Sequence, residues 1–173
     1  MATLIKNRAI AADSWQLLEA GADGAAPSVP LTGDVIVPLA LWKAEKAALS
    51  LHLGRTGVLL EPADDPSALA GETGQLPLIA VRFPKFPDGR GYSTARLLRE
   101  RHGFRGELRA IGDVLRDQLS LMERCGFDSY LLREDQNVAE ALAAFEDFSE
   151  AYQASVEQPI PLFRRRAQTT NGA

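Results

Sequence analysis

Cysteine and histidine are almost missing from this chain: Cys125, His52 and His102 are the whole supply in 173 residues. A lone cysteine excludes an internal disulfide, an iron–sulfur cluster of the chain's own and a zinc site built on several thiolates. Two histidines likewise exclude a multi-histidine metal centre, so no metal is expected. Any electron-transfer cofactor is then a bound organic molecule or belongs to a partner, and its identity stays open. Long apolar runs are also lacking, and none approaches the roughly 20 residues that span a bilayer. The first residues, from Met1 to Arg8, carry no basic start leading into an apolar stretch. We therefore expect neither a signal peptide nor membrane insertion, and a cytoplasmic location. Positive charge is in deficit, with 19 Lys and Arg against 23 Asp and Glu and a net charge of −4. That balance argues against broad electrostatic binding to nucleic acid.

What remains is ordinary globular composition, 46% hydrophobic and 24% charged, in a length suited to one domain. Short apolar and polar pieces alternate over residues 1–20, with Asn7-Arg8 as a turn, and read as an N-terminal hairpin. Residues 21–33 are rich in Gly, Ala and Pro and predict a flexible connection. From residue 34 to about 155 the pattern is strand, helix, strand, repeated. Five aliphatic runs, at 35–39, 57–60, 78–83, 107–111 and 129–132, are nearly continuous in apolar character, as strands covered on both faces are. Between them helical spacing recurs, as in Leu115, Leu119 and Met122. A last helix opens at Asn137, with Glu140 three residues on, and runs to about residue 153.

The expected fold is α/β, a mostly parallel sheet of about five strands flanked by helices. Doubly wound topology is the first choice and a partial β/α barrel the alternative. Residues 156–173, with Pro159 and Pro161, predict an extended tail.

Ligands of parallel α/β folds bind outside the carboxyl ends of the strands. After the third run comes Pro84-Lys85-Phe86-Pro87-Asp88-Gly89-Arg90-Gly91-Tyr92-Ser93; after the fourth, Gly112-Asp113 with Arg116, Asp117 and Gln118; after the fifth, Arg133-Glu134-Asp135. Three consecutive strands thus bring charge to one rim. A helix predicted over 93–101 follows the two glycines, and backbone N–H groups at its start would suit an anion. The candidate ligand-binding set is Asp88, Gly89, Arg90, Gly91, Tyr92, Ser93, Arg96, Asp113, Asp117 and Gln118. Arg90 and Arg96 would hold an oxyanion such as phosphate or sulfite, and Asp113, Asp117 and Gln118 would orient it.

Gly89-x-Gly91-x-x-Thr94 is also a dinucleotide fingerprint short of its third glycine, reached through a longer, proline-containing loop than that fingerprint uses. Each residue has a plain structural reading as well. Asp88-Gly89 is a turn pair, Ser93 an N-cap, Asp113 a cap for a helix starting at Val114, Asp64-Asp65-Pro66 a helix start, and Cys125 a buried thiol. Arg99, Arg101 and Arg105 read as a solvated basic edge. No Ser-His-Asp arrangement, P-loop or metal motif is visible.

The stretch from Phe83 to Arg99, the stretch from Gly106 to Leu119, and Arg124-Cys125-Gly126-Phe127-Asp128 together resemble an uncharacterised bacterial family of domains of unknown function. That family carries the label of an oxidoreductase involved in sulfite reduction. The resemblance runs from about residue 35 to 163. It implies association with assimilatory sulfite reductase or sulfonucleotide reductase, and it transfers no catalytic residues. A flavin- or nicotinamide-dependent oxidoreductase and a non-catalytic partner of sulfite reductase are the alternatives to an oxyanion- or nucleotide-binding accessory protein.

Overall fold

The computed structural model describes residues 2–19, 21, 26–148 and 151–170. The expected connection at 21–33 and the end of the expected tail therefore lie partly outside the described residues. The predicted hairpin is present: β1 (Leu4–Lys6) and β2 (Ala9–Ala11) pair antiparallel, Lys6 opposite Ala9. Asn7 and Arg8 between them have φ of 50° and 62°. Positive φ at both central residues gives the turn a twist that matches its strands.

The remaining elements are β3 (Trp15–Leu17), β4 (Asp34–Pro38), α1 (Leu39–Leu49), β5 (Thr56–Leu60), β6 (Leu78–Phe83), α2 (Arg90–Glu100), β7 (Glu107–Gly112), α3 (Leu119–Arg124), β8 (Ser129–Leu131), α4 (Val138–Ala143) and α5 (Leu162–Thr170). Asp65 starts a short 3-10 turn at Pro66–Leu69 by accepting from Ser67 N at 2.9 Å. Asn137 caps α4 through Ala139 N and Glu140 N. That helix is shorter than its sequence pattern, passing into a 3-10 turn at Ala144–Glu146. The tail, expected to be extended, forms α5 directly after Pro161, whose carbonyl accepts from Arg164 N and Arg165 N.

Among the described residues eight strands, rather than about five, form one sheet in the order β2-β1-β8-β7-β6-β5-β4-β3. All five expected strands are there as β4 to β8, joined by the hairpin at one edge and β3 at the other. From β3 to β8 every neighbour is parallel and the order never reverses. Doubly wound topology requires a reversal of strand order, so the first choice is replaced by the barrel-like alternative.

The edges show how far the sheet curls. β2 and β3 lie at opposite ends of it, yet Ala12, Asp13 and Ser14 alone connect them. Four Cα steps reach at most about 14 Å, whereas eight flat strands would set the edges about 33 Å apart. The sheet must therefore roll until its edges nearly meet, with residues 12–14 as a strap across the seam.

Rolling gives each strand two buried faces. On the convex side Val58, Ile79, Val81, Phe83, Leu108 and Tyr130 pack with Ala95 and Leu98 of α2 and Leu119 and Met122 of α3. On the concave side Ile36, Leu59, Leu78, Ala80 and Ile111 pack with Trp15, Leu17 and Leu131. Charge is buried there too. Arg109, 2% exposed, binds Glu107 on its own strand at 2.7 Å and Asp13 of the strap at 2.9 Å, and Lys6 of β1 reaches Glu107 at 2.6 Å. Burial alone would push the Glu107 carboxyl up, but Lys6 and Arg109 outweigh it and hold it below the usual range.

Candidate site at the carboxyl rim

Pro38, Leu60, Phe83, Gly112 and Leu131 end their parallel strands on one rim. Two of these ends are spliced together. Asp113 N donates to Phe83 O at 2.7 Å, and a Cβ on Gly112 would stand 2.3 Å from that oxygen. With φ of +97° as well, position 112 admits only glycine without strain. Held this way, the Asp113 carboxylate accepts from Phe86 N at 2.8 Å and from Arg133 Nη1 at 2.6 Å. The loop after β6, the end of β7 and the second residue beyond β8 therefore meet at Asp113. It caps no helix at Val114; a 3-10 turn begins at Arg116 instead. Arg133 also grips Asp135, and its hydrogen bonds bring the Asp135 carboxyl down to about 2.

The other expected residues part company along α2. This helix begins at Arg90, so Ser93 sits exposed within its first turns and is no N-cap. Asp88 accepts from Arg90 N at 3.2 Å and takes its guanidinium at 2.9 and 2.6 Å, which lowers the Asp88 carboxyl. Gly89 precedes the helix as its cap, its carbonyl accepting from Tyr92 N at 3.2 Å. Gly91 faces inward, where a Cβ would lie 2.6 Å from Cζ of Phe83. Its role is close packing of α2 on β6. Tyr92 stands edge-on to the same ring, centroids 5.2 Å apart, and burial pushes its hydroxyl pKa up.

Arg96 follows Arg90 by six residues, about 240° around the helix axis, and pairs with Glu100 at 2.9 Å. It does not join Arg90. Gln118 is buried, its Oε1 accepting from Leu115 N at 3.0 Å. Asp117 is exposed and lines a different hollow, with Ser120, Leu121 and Arg124.

At the rim this leaves an open depression of about 610 Å³ lined by Pro84, Lys85, Pro87, Asp88, Gly89 and Arg90. Lys85 was passed over in reading the sequence, although it stands inside the quoted loop. Among the described residues its ammonium has no ion-pair partner. Arg133, noted only as rim charge, proves to hold the rim together. Arg82 was also missed, and pairs with Glu61 at 2.9 Å and Glu19 at 2.6 Å. Its signal was a charge inside an otherwise apolar strand. Arg99 departs from its expected place on a solvated edge. It is largely buried and donates to the carbonyls of Gly126, Phe104 and Gly106 and to Asp128.

Among the described residues no helix is long and apolar enough to cross a membrane, and no group of three or more His, Cys, Asp or Glu side chains is arranged to hold a metal. Consecutive parallel strands, helices on the convex face and a charged carboxyl rim define a domain of the β/α-barrel kind, incomplete at its seam. The chain belongs to the bacterial family of unknown function DUF934, which it matches over residues 57–163. That match takes in β5 to β8, the rim loop and Asp113, but not the strap. No curated protein matches the chain.

Proposed function

We propose that this chain is an accessory component of assimilatory sulfate or sulfite reduction that binds an oxyanion or nucleotide in the rim depression. The observation that carries the ligand reading is Lys85, a cation with no ion-pair partner among the described residues, on a loop that Asp113 pins at Phe86 N. An anion seated there would meet the Lys85 ammonium and the positive end of α2, an 11-residue helix. Arg90 would exchange its exposed bond to Asp88 for the ligand. The sulfur pathway itself rests on the resemblance described above. Deleting the gene and growing cells on sulfate, sulfite, sulfide or cysteine tests it. The expected pattern is growth on sulfide and cysteine, a defect on sulfate or sulfite, and rescue by the wild-type gene but not by Lys85→Ala/Arg90→Ala. Equal growth on every source would remove the pathway reading.

A non-catalytic partner of sulfite reductase is the second reading. It is favoured by the pairing of Arg82, Arg90 and Arg133 with carboxylates of the chain itself. A flavin- or nicotinamide-dependent oxidoreductase fits less well, because Gly91 is turned onto Phe83 and not toward a cofactor. Colourless protein with no thermal shift on adding either cofactor would dispose of that alternative.

A further inference from the structure

Around the molecule from the rim loop, α3 and the segment after α4 leave four large apolar side chains in solvent. Leu121 is 48% exposed, Phe148 73%, Tyr152 68% and Phe163 55%. They are contiguous. Leu121, Phe148 and Tyr152 line one hollow of about 280 Å³, and the Tyr152 and Phe163 rings lie 6.5 Å apart. Leu162 N donates to Tyr152 O at 3.1 Å, which ties the start of α5 to this face. Contiguous apolar surface of a few hundred Å² on a soluble domain commonly marks an interaction site.

Arginine accompanies the aromatics. Arg124 borders the hollow with its Nε buried and lacking any acceptor, and its Nη2 has only a long contact of 3.4 Å to Gln153 O. A buried donor without a partner is costly, and here the want is for an oxygen. Arg164 stacks over Phe163 at 5.9 Å. Tyrosine, phenylalanine and arginine together are the composition of interface hot spots. The face sets Arg124 and Arg164 among exposed aromatics, with Asp117 in the same hollow and Glu123 and Glu157 in the one that adjoins it.

We propose that this face docks a segment of a partner protein in which an Asp or Glu stands beside a large apolar side chain. The carboxylate pairs with the Nη end of the Arg124 guanidinium, held otherwise by one long contact, and the apolar group fills the hollow between Leu121, Phe148 and Tyr152. Asp117, at the other end of the hollow, repels a second acid and so sets the direction of the segment.

The test uses the full chain and a displayed library of random peptides, selected against immobilised wild-type protein. Enriched peptides are then synthesised and their binding is followed by fluorescence anisotropy. We expect a consensus of one acid next to an aromatic or branched aliphatic residue. Binding should weaken roughly 10-fold or more in both Arg124→Gln and Tyr152→Ala, each with a wild-type circular dichroism spectrum, and should be unchanged in Lys85→Ala. No consensus, a basic consensus, or affinity retained in Arg124→Gln would overturn the proposal. So would self-association or adsorption to anionic vesicles that Tyr152→Ala abolishes while peptide binding is absent.

Discussion

Replacing Arg109 by methionine keeps most of the side-chain length and removes the charge at the centre of the rolled sheet. Arg109 is 2% exposed, and its guanidinium satisfies Glu107 and Asp13 together. Breaking a buried ion pair from one side costs about 3–5 kcal/mol, because the charge left behind is uncompensated. Glu107 retains Lys6 at 2.6 Å and Asp13 is 28% exposed, so both remaining acids have some relief. The low end, about 3 kcal/mol, is the expected loss, a large share of the roughly 5–15 kcal/mol that holds a domain folded. Urea unfolding followed by circular dichroism measures it. Arg109→Met combined with Glu107→Gln should recover part of the loss, since the double variant buries no unpaired charge. The strap should also loosen, with faster amide exchange at residues 12–14. A loss below about 1 kcal/mol, the scale of an exposed pair, would refute the idea that this network seals the seam.

The same network predicts an acid dependence. Glu107 is held below the ordinary glutamate value, so its contribution is complete above about pH 4.3 and is lost as pH falls through the lower folded-state value. In Glu107→Gln the wild-type drop in urea midpoint below pH 4.3 should be smaller. Gly91→Ala should destabilise by about 1–2 kcal/mol, because overpacking on the buried Phe83 ring exceeds the gain in helix propensity. A raised melting temperature would show that α2 is not packed so closely. Asp113→Ala should speed exchange of the Phe86 amide at least 10-fold, a loss of about 1.4 kcal/mol or more at that hydrogen bond. An unchanged rate would mean that the loop is held by other contacts. Arg99→Lys should cost about 2–3 kcal/mol in thermal unfolding, since an ammonium cannot serve three carbonyls and Asp128 in the fork's geometry. A loss under about 0.5 kcal/mol would return Arg99 to the solvated edge.

Much of the sheet was legible because its central strands are largely aliphatic on both faces, and runs of strand length bounded by turn residues suit a doubly covered parallel sheet. Their order was not, since doubly wound and barrel-like windings repeat the same strand, helix and strand. What separates them here is the strand order, which never reverses from β3 to β8, and the short link from Ala11 to Trp15 shows the curl only once β2 and β3 are known to be opposite edges. β1, β2 and β3 are three residues each, too brief for alternation to declare itself.

At the candidate site, adjacency in sequence was mistaken for adjacency in space. The helical period turns Gly91 inward, leaves Ser93 in solvent and carries Arg96 around to Glu100, while Asp113 and Arg133, 20 residues apart, meet at 2.6 Å. Alternation along β7 did hold the clue to the buried network. Glu107 and Arg109 share one face of a strand that otherwise reads as core, and charge at such positions has to find partners inside.

An oxyanion or nucleotide seated in the rim depression at Lys85 and Arg90, as proposed, would bind with measurable heat. Isothermal calorimetry of the purified chain with sulfite, phosphate and adenosine 5′-phosphosulfate in turn tests it most directly. Saturable heat is expected from at least one of them, with affinity weakened about 10-fold or more in Lys85→Ala. No heat from any of the three, or heat that Lys85→Ala/Arg90→Ala leaves unchanged, would contradict it.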